Sequence, residues 1–278
     1  MSQMKILQFT DPHLYGRADG KLRGVQTDST LRAVMQDAYS LCPDHAAILV
    51  TGDLVQDDPA GYIRFRNLFE RSDKPVLCVP GNHDIPEAMR AELRGAPFQI
   101  GGTFRADGWQ IIMLDSYEAG EVGGRLAPGE LEHLQDSLRR SDEHALICLH
   151  HHPVMMRSRW LDGIGLANTE EFWRIIDAHR HVRAVLWGPV HQEFEGVRSG
   201  VRSGERSSVR SGTRSSHRGP VRLFATPSTG AQFLPLSEKF AIDTRPPAYR
   251  VLELDAAGGI RTQVHWVSVP AAARCVAG

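Results

Sequence analysis

Cysteine is scarce in this chain, four in 278 residues. Cys42, Cys78, Cys148 and Cys275 are scattered, with no CxxC pair among them. That spacing excludes a disulfide framework and a thiolate zinc site. Three of the four lie in or beside apolar stretches, as reduced, buried thiols in the cytoplasm do. Apolar runs long enough to span a bilayer are also lacking, and so is a basic-then-apolar leader in the first ten residues, which read as the approach to a strand. Charge of either sign is balanced to a net −1, so no global field draws the chain to nucleic acid or to a membrane. What is present is the composition of a soluble globular protein, 41% hydrophobic and 23% charged. The length suits a single domain, residues 1–278, with one substantial core. Histidine is plentiful at thirteen, and many of these stand beside aspartates in short motifs.

Apolar runs alternate with amphipathic stretches. Residues 5–9, 46–50, 76–79, 111–114, 145–149 and 182–187 each read as buried strands. Between the first two, Leu31, Val34, Met35, Ala38 and Tyr39 recur at helical spacing, which predicts a helix over 27–41 with Asp28 and Ser29 available as caps. Similar patterns cover 62–69, 131–138 and 170–176, whereas 221–225, 249–254 and 260–267 read as strands with no helix between them. Alternating strands and helices with a strand-rich end predict a layered α/β domain.

Residues 197–220 break the pattern with a degenerate four-residue repeat, VRSG VRSG ERSS VRSG TRSS HRGP. Six arginines against Glu205 give this segment +5, leaving −6 on the remainder of a chain that totals −1. Gly and Ser oppose a helix, and too few apolar groups are present to offset the ordering entropy, so a disordered loop is expected. Its composition favours a tolerated surface insertion over a nucleic-acid-binding arm.

The polar clusters fall at strand ends. Asp11-Pro12-His13 follows the first strand, Gly52-Asp53 the second and Gly81-Asn82-His83-Asp84 the third. His150-His151-His152-Pro153 ends the strand at 145–149, and Gly188-Pro189-Val190-His191 the strand at 182–187. Taken singly, each has a plain reading as turn chemistry or a satisfied histidine. Together they would gather Asp, Asn and His donors outside the carboxyl ends of one sheet system, where α/β proteins bind ligands. Such N and O donors suit borderline divalent metals, and paired ions suit phosphoryl chemistry.

These motifs, in this order, resemble the D-x-H, G-D, G-N-H-[DE], strand-terminal His and G-H-x-H pattern of the calcineurin-like metallophosphoesterases. The resemblance implies a two-sheet β-sandwich flanked by helices in four αββα layers. It also implies two divalent ions, Fe2+ or Mn2+. One would be held by Asp11, His13, Asp53 and His191. The other would be held by Asp53 as the bridging carboxylate, by Asn82, and by a histidine of the 150–152 run, with His151 favoured and His150 open. His83 would contact the phosphate and protonate the leaving oxygen, oriented by Asp84. His13, Asp53, Asn82, His83, His151 and His191 would then surround the substrate.

The stretches LQFTDPHL, TGDLVQD, VPGNHD, HHHP, SRWLD, HQE and ATPSTGAQF are similar, more narrowly, to bacterial class III cyclic-AMP phosphodiesterases. That similarity implies a small cyclic nucleotide as partner, with no membrane partner and little support for nucleic acid. It sets no oligomeric state. Trp160 and Phe233 are candidates to stack on a base or to fill the core. One departure stands out: Pro189 occupies the position of the first G-H-x-H histidine. Proline brings no ligand atom, so a weak second ion and reduced turnover are expected, with water or a spare histidine of the 150–152 run filling the gap in part. Three rivals remain open: another phosphoesterase of this superfamily, a non-catalytic nucleotide-binding relative, and a nucleic-acid-associated protein using the arginine repeat.

Overall fold

The computed structural model describes residues 3–199 and 219–269. Cys275 and most of the arginine repeat lie outside these residues. Two six-stranded sheets form the body. In spatial order the first comprises Ile260–Trp266, Ala248–Asp255, Gln3–Phe9, Ala47–Thr51, Val76–Val79 and Phe98–Ile100, the last four mutually parallel. The second comprises Phe194–Arg198, Val221–Ala225, Val182–Trp187, His144–Cys148, Trp109–Met113 and Gly102–Ala106, parallel through its four central strands.

The strands read as unbroken apolar runs because both faces are covered. On Gln3–Phe9, Met4 and Ile6 join the cluster between the sheets, packing with Leu49, Leu77, Trp109, Ile111, Leu186 and Phe224. Leu7 and Phe9 point the other way, onto Leu31, Val34 and Ala38 of helix Thr27–Leu41 and Phe65 and Phe69 of helix Gly61–Phe69. Behind the second sheet, Ile147, Val185 and Trp187 meet Leu134 and Leu138 of helix Pro128–Arg140 and Phe172 and Ile176 of helix Thr169–Ala178. Helix, sheet, sheet, helix is the resulting layer order. Among the described residues, no helix is long and apolar enough to cross a membrane.

Predicted elements and observed ones agree within a few residues, and the differences have causes. Helix Thr27–Leu41 starts from Gln26 with no side-chain cap. Asp28 instead pairs with Arg32 and Arg64, at 2.7 and 2.6 Å, and is not a cap. Phe98–Ile100, Gly102–Ala106 and Phe194–Arg198 went unforeseen because they are edge strands, partly exposed and without an apolar run. The last of these takes in Val197 and Arg198, the first two residues of the repeat, which pair with Arg222 and Val221.

Parallel order sends the chain out of each central strand at the same end of the sandwich. The loops after Phe9, Thr51, Val79, Cys148, Trp187 and Ala225 therefore converge there. Phe194 pairs with Ala225 at that end, whereas Arg198 pairs with Val221 at the other. The repeat thus joins the fold at the end opposite those loops.

Candidate metal centre

Asp11, His13, Asp53 and His191 come together from three of these loops, each no more than 3% exposed. His13 Nε2 lies 3.3 Å from His191 Nε2, 3.6 Å from Asp53 Oδ2 and 4.0 Å from Asp11 Oδ1. His191 Nε2 lies 3.3 Å from Asp11 Oδ1. On the other side of Asp53, Oδ1 lies 3.6 Å from His150 Nε2, which is 3.3 Å from Asn82 Oδ1. The two oxygens of Asp53 thus face two different donor groups, as a bridging carboxylate must.

Backbone hydrogen bonds fix the tautomers. His150 Nδ1 is 2.8 Å from the Thr51 carbonyl, and His191 Nδ1 is 2.7 Å from the Ala231 carbonyl. A carbonyl can only accept, so both Nδ1 atoms carry protons, and in the neutral rings both Nε2 atoms turn a lone pair inward. Thr10 Oγ1 donates to Asp11 Oδ2 at 2.6 Å, while Asp11 Oδ1, buried and close only to imidazole nitrogens, has no well-aligned hydrogen-bond donor among the described residues.

The donor groups fit divalent cations. Asp11 and Asp53 are buried carboxylates whose ion-pair partners, among the described residues, are imidazoles alone. Burial by itself would raise the Asp11 pKa, yet His191, His150 and His13 outweigh it and hold the carboxyl below its ordinary range. Burial drives His13 down to about 4, so it is neutral, as a ligand requires. An uncompensated pair of buried carboxylates is costly, and a metal ion with N and O donors removes that cost.

Four of these residues are held in the left-handed region of backbone space: Asp11 at φ 51°, His13 at 45°, Asp53 at 51° and His191 at 47°. Non-glycine residues there cost on the order of 1 kcal/mol each, and such strain gathers at functional sites. Close approach adds to it. A Cβ on Gly81 would lie 2.2 Å from Asp53 Oδ1, and one on Gly188 would lie 2.3 Å from Thr10 Oγ1.

Two expectations are corrected. His150, and not the favoured His151, faces Asp53 and Asn82. The His151 ring turns away, its Nδ1 2.8 Å from Ser116 Oγ and its Nε2 3.2 Å from the Val122 carbonyl. The next side chain, His152, packs against Gly165, so His151 and His152 are both engaged away from Asp53 and Asn82. Asp84 does not orient His83. It is buried and accepts from Leu54 N, Gly81 N and Tyr62 Oη at 3.1, 2.8 and 2.9 Å, tying the loop after Val79 to the loop after Thr51. His83 sits at the mouth, its Nδ1 2.9 Å from Asp57 Oδ2 and 2.8 Å from Gln56 Nε2, which also donates to Asp57 Oδ2 at 2.7 Å, so Asp57 and Gln56 together position it.

Other supporting residues were also missed. The ATPST stretch wraps the first donor group: Ser228 Oγ donates to the Asp11 carbonyl at 2.8 Å, and Thr229 N to that of Thr10 at 3.0 Å. Phe233 lies flat on the His191 imidazole, centroids 3.9 Å apart, with Trp160 edge-on to Phe233 at 5.5 Å. One face of Phe233 is therefore committed to a candidate ligand. Asp57 carried the clearest signal, standing four residues after Asp53 within TGDLVQD.

Fold and paired donor groups describe a dimetal phosphoesterase scaffold, and comparisons with known proteins agree. Residues 4–193 match the family model for calcineurin-like phosphoesterase, and the chain belongs to that family. It is 34% identical over 264 residues to the 3',5'-cyclic adenosine monophosphate phosphodiesterase CpdA of Haemophilus influenzae, covering 94% of this chain and 89% of that one. It is likewise 34% identical over 267 residues to CpdA of Escherichia coli K12, covering 95% and 90%. Among solved structures, the fold resembles a dimetal phosphatase from Danio rerio, with a TM-score of 0.54 at 15% identity over 95% of this chain and 99% of that one. It also resembles the purple acid phosphatase PPD1 from yellow lupin, with a TM-score of 0.58 at 14% identity over 95% and 53%.

Proposed function

We propose that this protein hydrolyses the cyclic 3',5'-phosphodiester of cyclic AMP to 5'-AMP, with Asp11, His13, Asp53 and His191 holding one divalent ion, Fe2+ or Mn2+, and Asp53, Asn82 and His150 a second. The observation that carries the reading is the split of the Asp53 carboxylate between two donor groups, in a chain about one-third identical to CpdA proteins over nearly its whole length. When bound, the ions would supply an activated water and neutralise the phosphate charge. Asp53 would offer one carboxylate oxygen to each donor group. His83 does the proton work: the Asp57 carboxylate faces its Nδ1, and Nε2 passes a proton to the 3'-oxygen as the P–O3' bond breaks and the new P–O bond forms. Buried thiols at Cys42, Cys78 and Cys148 suit a reducing compartment, which supports a cytoplasmic location.

Pro189 leaves the second group with three protein donors. Losing even an outer partner of a metal ligand typically costs about 10- to 100-fold in affinity or activity, so a missing direct ligand should cost at least that. The second ion is therefore weakly held and turnover low. Pro189 also favours a second reading, a relative that binds the nucleotide without hydrolysing it. The test compares this chain with Pro189→His, measuring cyclic AMP hydrolysis and binding with added Mn2+ or Fe2+. Low activity raised by the histidine supports the impaired-enzyme reading. Equal activity in both refutes the role given to Pro189, binding without turnover in both supports the second reading, and no interaction in either refutes cyclic AMP as the ligand.

A further inference from the structure

A fully buried arginine bridges the two sheets near their site end. Arg250, on strand Ala248–Asp255 of the first sheet, is 0% exposed. Burying a guanidinium is costly unless its donors are met. Nε donates to Thr226 Oγ1 at 3.1 Å, Nη2 to the Ala225 carbonyl at 2.9 Å, and Nη1 to Thr262 Oγ1 and Glu195 Oε1 at 3.1 and 3.0 Å. Thr226 passes the chain on, its hydroxyl donating to Gln8 Oε1, and Gln8 Nε2 donates to Thr51 Oγ1 at 2.9 Å. The Thr51 carbonyl is the acceptor that sets the His150 tautomer, and it lies 3.2 Å from Thr10 Oγ1, the hydroxyl that holds Asp11.

This hydrogen-bonded chain crosses repeatedly between the sheets. Gln8, Thr51 and Arg250 belong to the first sheet, whereas Glu195 and Ala225 lie in the second and Thr226 directly follows it. The donor groups cross the same gap: Asp11, His13, Asp53 and Asn82 follow strands of the first sheet, and His150 and His191 follow strands of the second. Apolar packing between sheets is non-directional and fixes their sliding only loosely. Hydrogen bonds are directional and weaken steeply when misaligned.

We propose that the Arg250–Thr226–Gln8–Thr51 chain registers the two sheets at their site end and so sets the spacing of the divalent-cation ligands, with Thr226 and Gln8 as positioning residues. This role rests on the divalent-cation reading above and is independent of the substrate. Thr226→Val keeps the shape and removes the hydroxyl, and Thr226→Ser keeps the hydroxyl. Mn2+ affinity is measured by equilibrium dialysis, and ligand geometry from the absorption bands of the Co2+-loaded protein, with thermal melts alongside. Thr226→Val should weaken Mn2+ binding about 10-fold and shift the Co2+ bands, and Thr226→Ser should restore both. A merely structural hydroxyl would lower the melting temperature and leave the bands in place, which overturns the proposal, as would a serine variant as impaired as the valine. If Thr226→Val does not melt cooperatively, Thr51→Val breaks the same chain one link further on and is held to the same criteria. Wild-type protein that binds neither ion overturns the cation reading and this role together. Normal binding by wild type and valine variant alike overturns this role alone.

Discussion

Asp57→Asn isolates the part of the site that moves a proton. The substitution keeps the size of the side chain and removes the charge facing His83 Nδ1 at 2.9 Å. A hydrogen bond to a charged group contributes about 1.5–3 kcal/mol when buried. Here the Asp57 side chain is 65% exposed and that of His83 35%, and solvent screening brings exposed pairs down to about 1 kcal/mol or less. That predicts a loss of about 5-fold in kcat, since 1.4 kcal/mol is tenfold. The loss should depend on the leaving group. Cyclic AMP expels an alkoxide that needs a proton, whereas bis(p-nitrophenyl) phosphate expels a stable phenolate that does not. Steady-state rates on both substrates with saturating Mn2+ should show the drop for cyclic AMP and little change for the aryl diester. Equal losses on both, or none on either, would refute the assignment of His83 as acid and Asp57 as its anchor.

Two more outcomes follow from the histidine run. His150→Ala should lower the bound-ion stoichiometry measured by elemental analysis, while His151→Ala should keep the ions and instead lower the melting temperature, because the Ser116 hydroxyl and the Val122 carbonyl lose their imidazole partner; the reverse pattern would overturn the choice of His150. Burial depresses His152 to about 4 from an ordinary 6.5, so the folded form holds it neutral while the unfolded chain takes up a proton; the stability is present above 6.5 and is lost as pH falls toward 4. In chelator-treated protein this one group should remove about 2 kcal/mol between pH 7 and 5, read by urea unfolding, and His152→Phe should flatten that slope; an unchanged slope would sink the account.

The parallel core was open to sequence reading because its strands are apolar on both faces and its helices carry periodic stripes. Strand Val182–Trp187 and helix Thr27–Leu41 are clear cases. An edge strand such as Phe194–Arg198 was hidden because none of its residues is fully buried and two of the five are exposed. At the site, residue types at strand ends pointed to Asp11, His13, Asp53, Asn82 and His191. The choice between His150 and His151 could not be made that way, since adjacent side chains at a strand end leave in different directions and only the acceptors around them decide. The same holds for Asp84 and Asp57: adjacency to His83 suggested the first, and three-dimensional proximity selects the second. The left-handed backbone at four candidate ligands leaves only a weak mark in residue type, because Asp and His adopt it more often than other non-glycine residues but far less often than glycine.

Arg198 and Val221 are register partners at the end of the sandwich away from the candidate metal centre. Whatever chain joins them need only bridge one strand spacing, about 4.8 Å, so its ends meet the same boundary condition at any length. Closure entropy grows with the logarithm of length, about 0.6 kcal/mol for each doubling. Lengthening the chain at this junction is therefore nearly free, where growth in any loop at the opposite end would have to pass among the candidate ligands. The junction is a place where the gene can lengthen without the catalytic end registering it, and equally a port through which a tag or a second domain could be spliced.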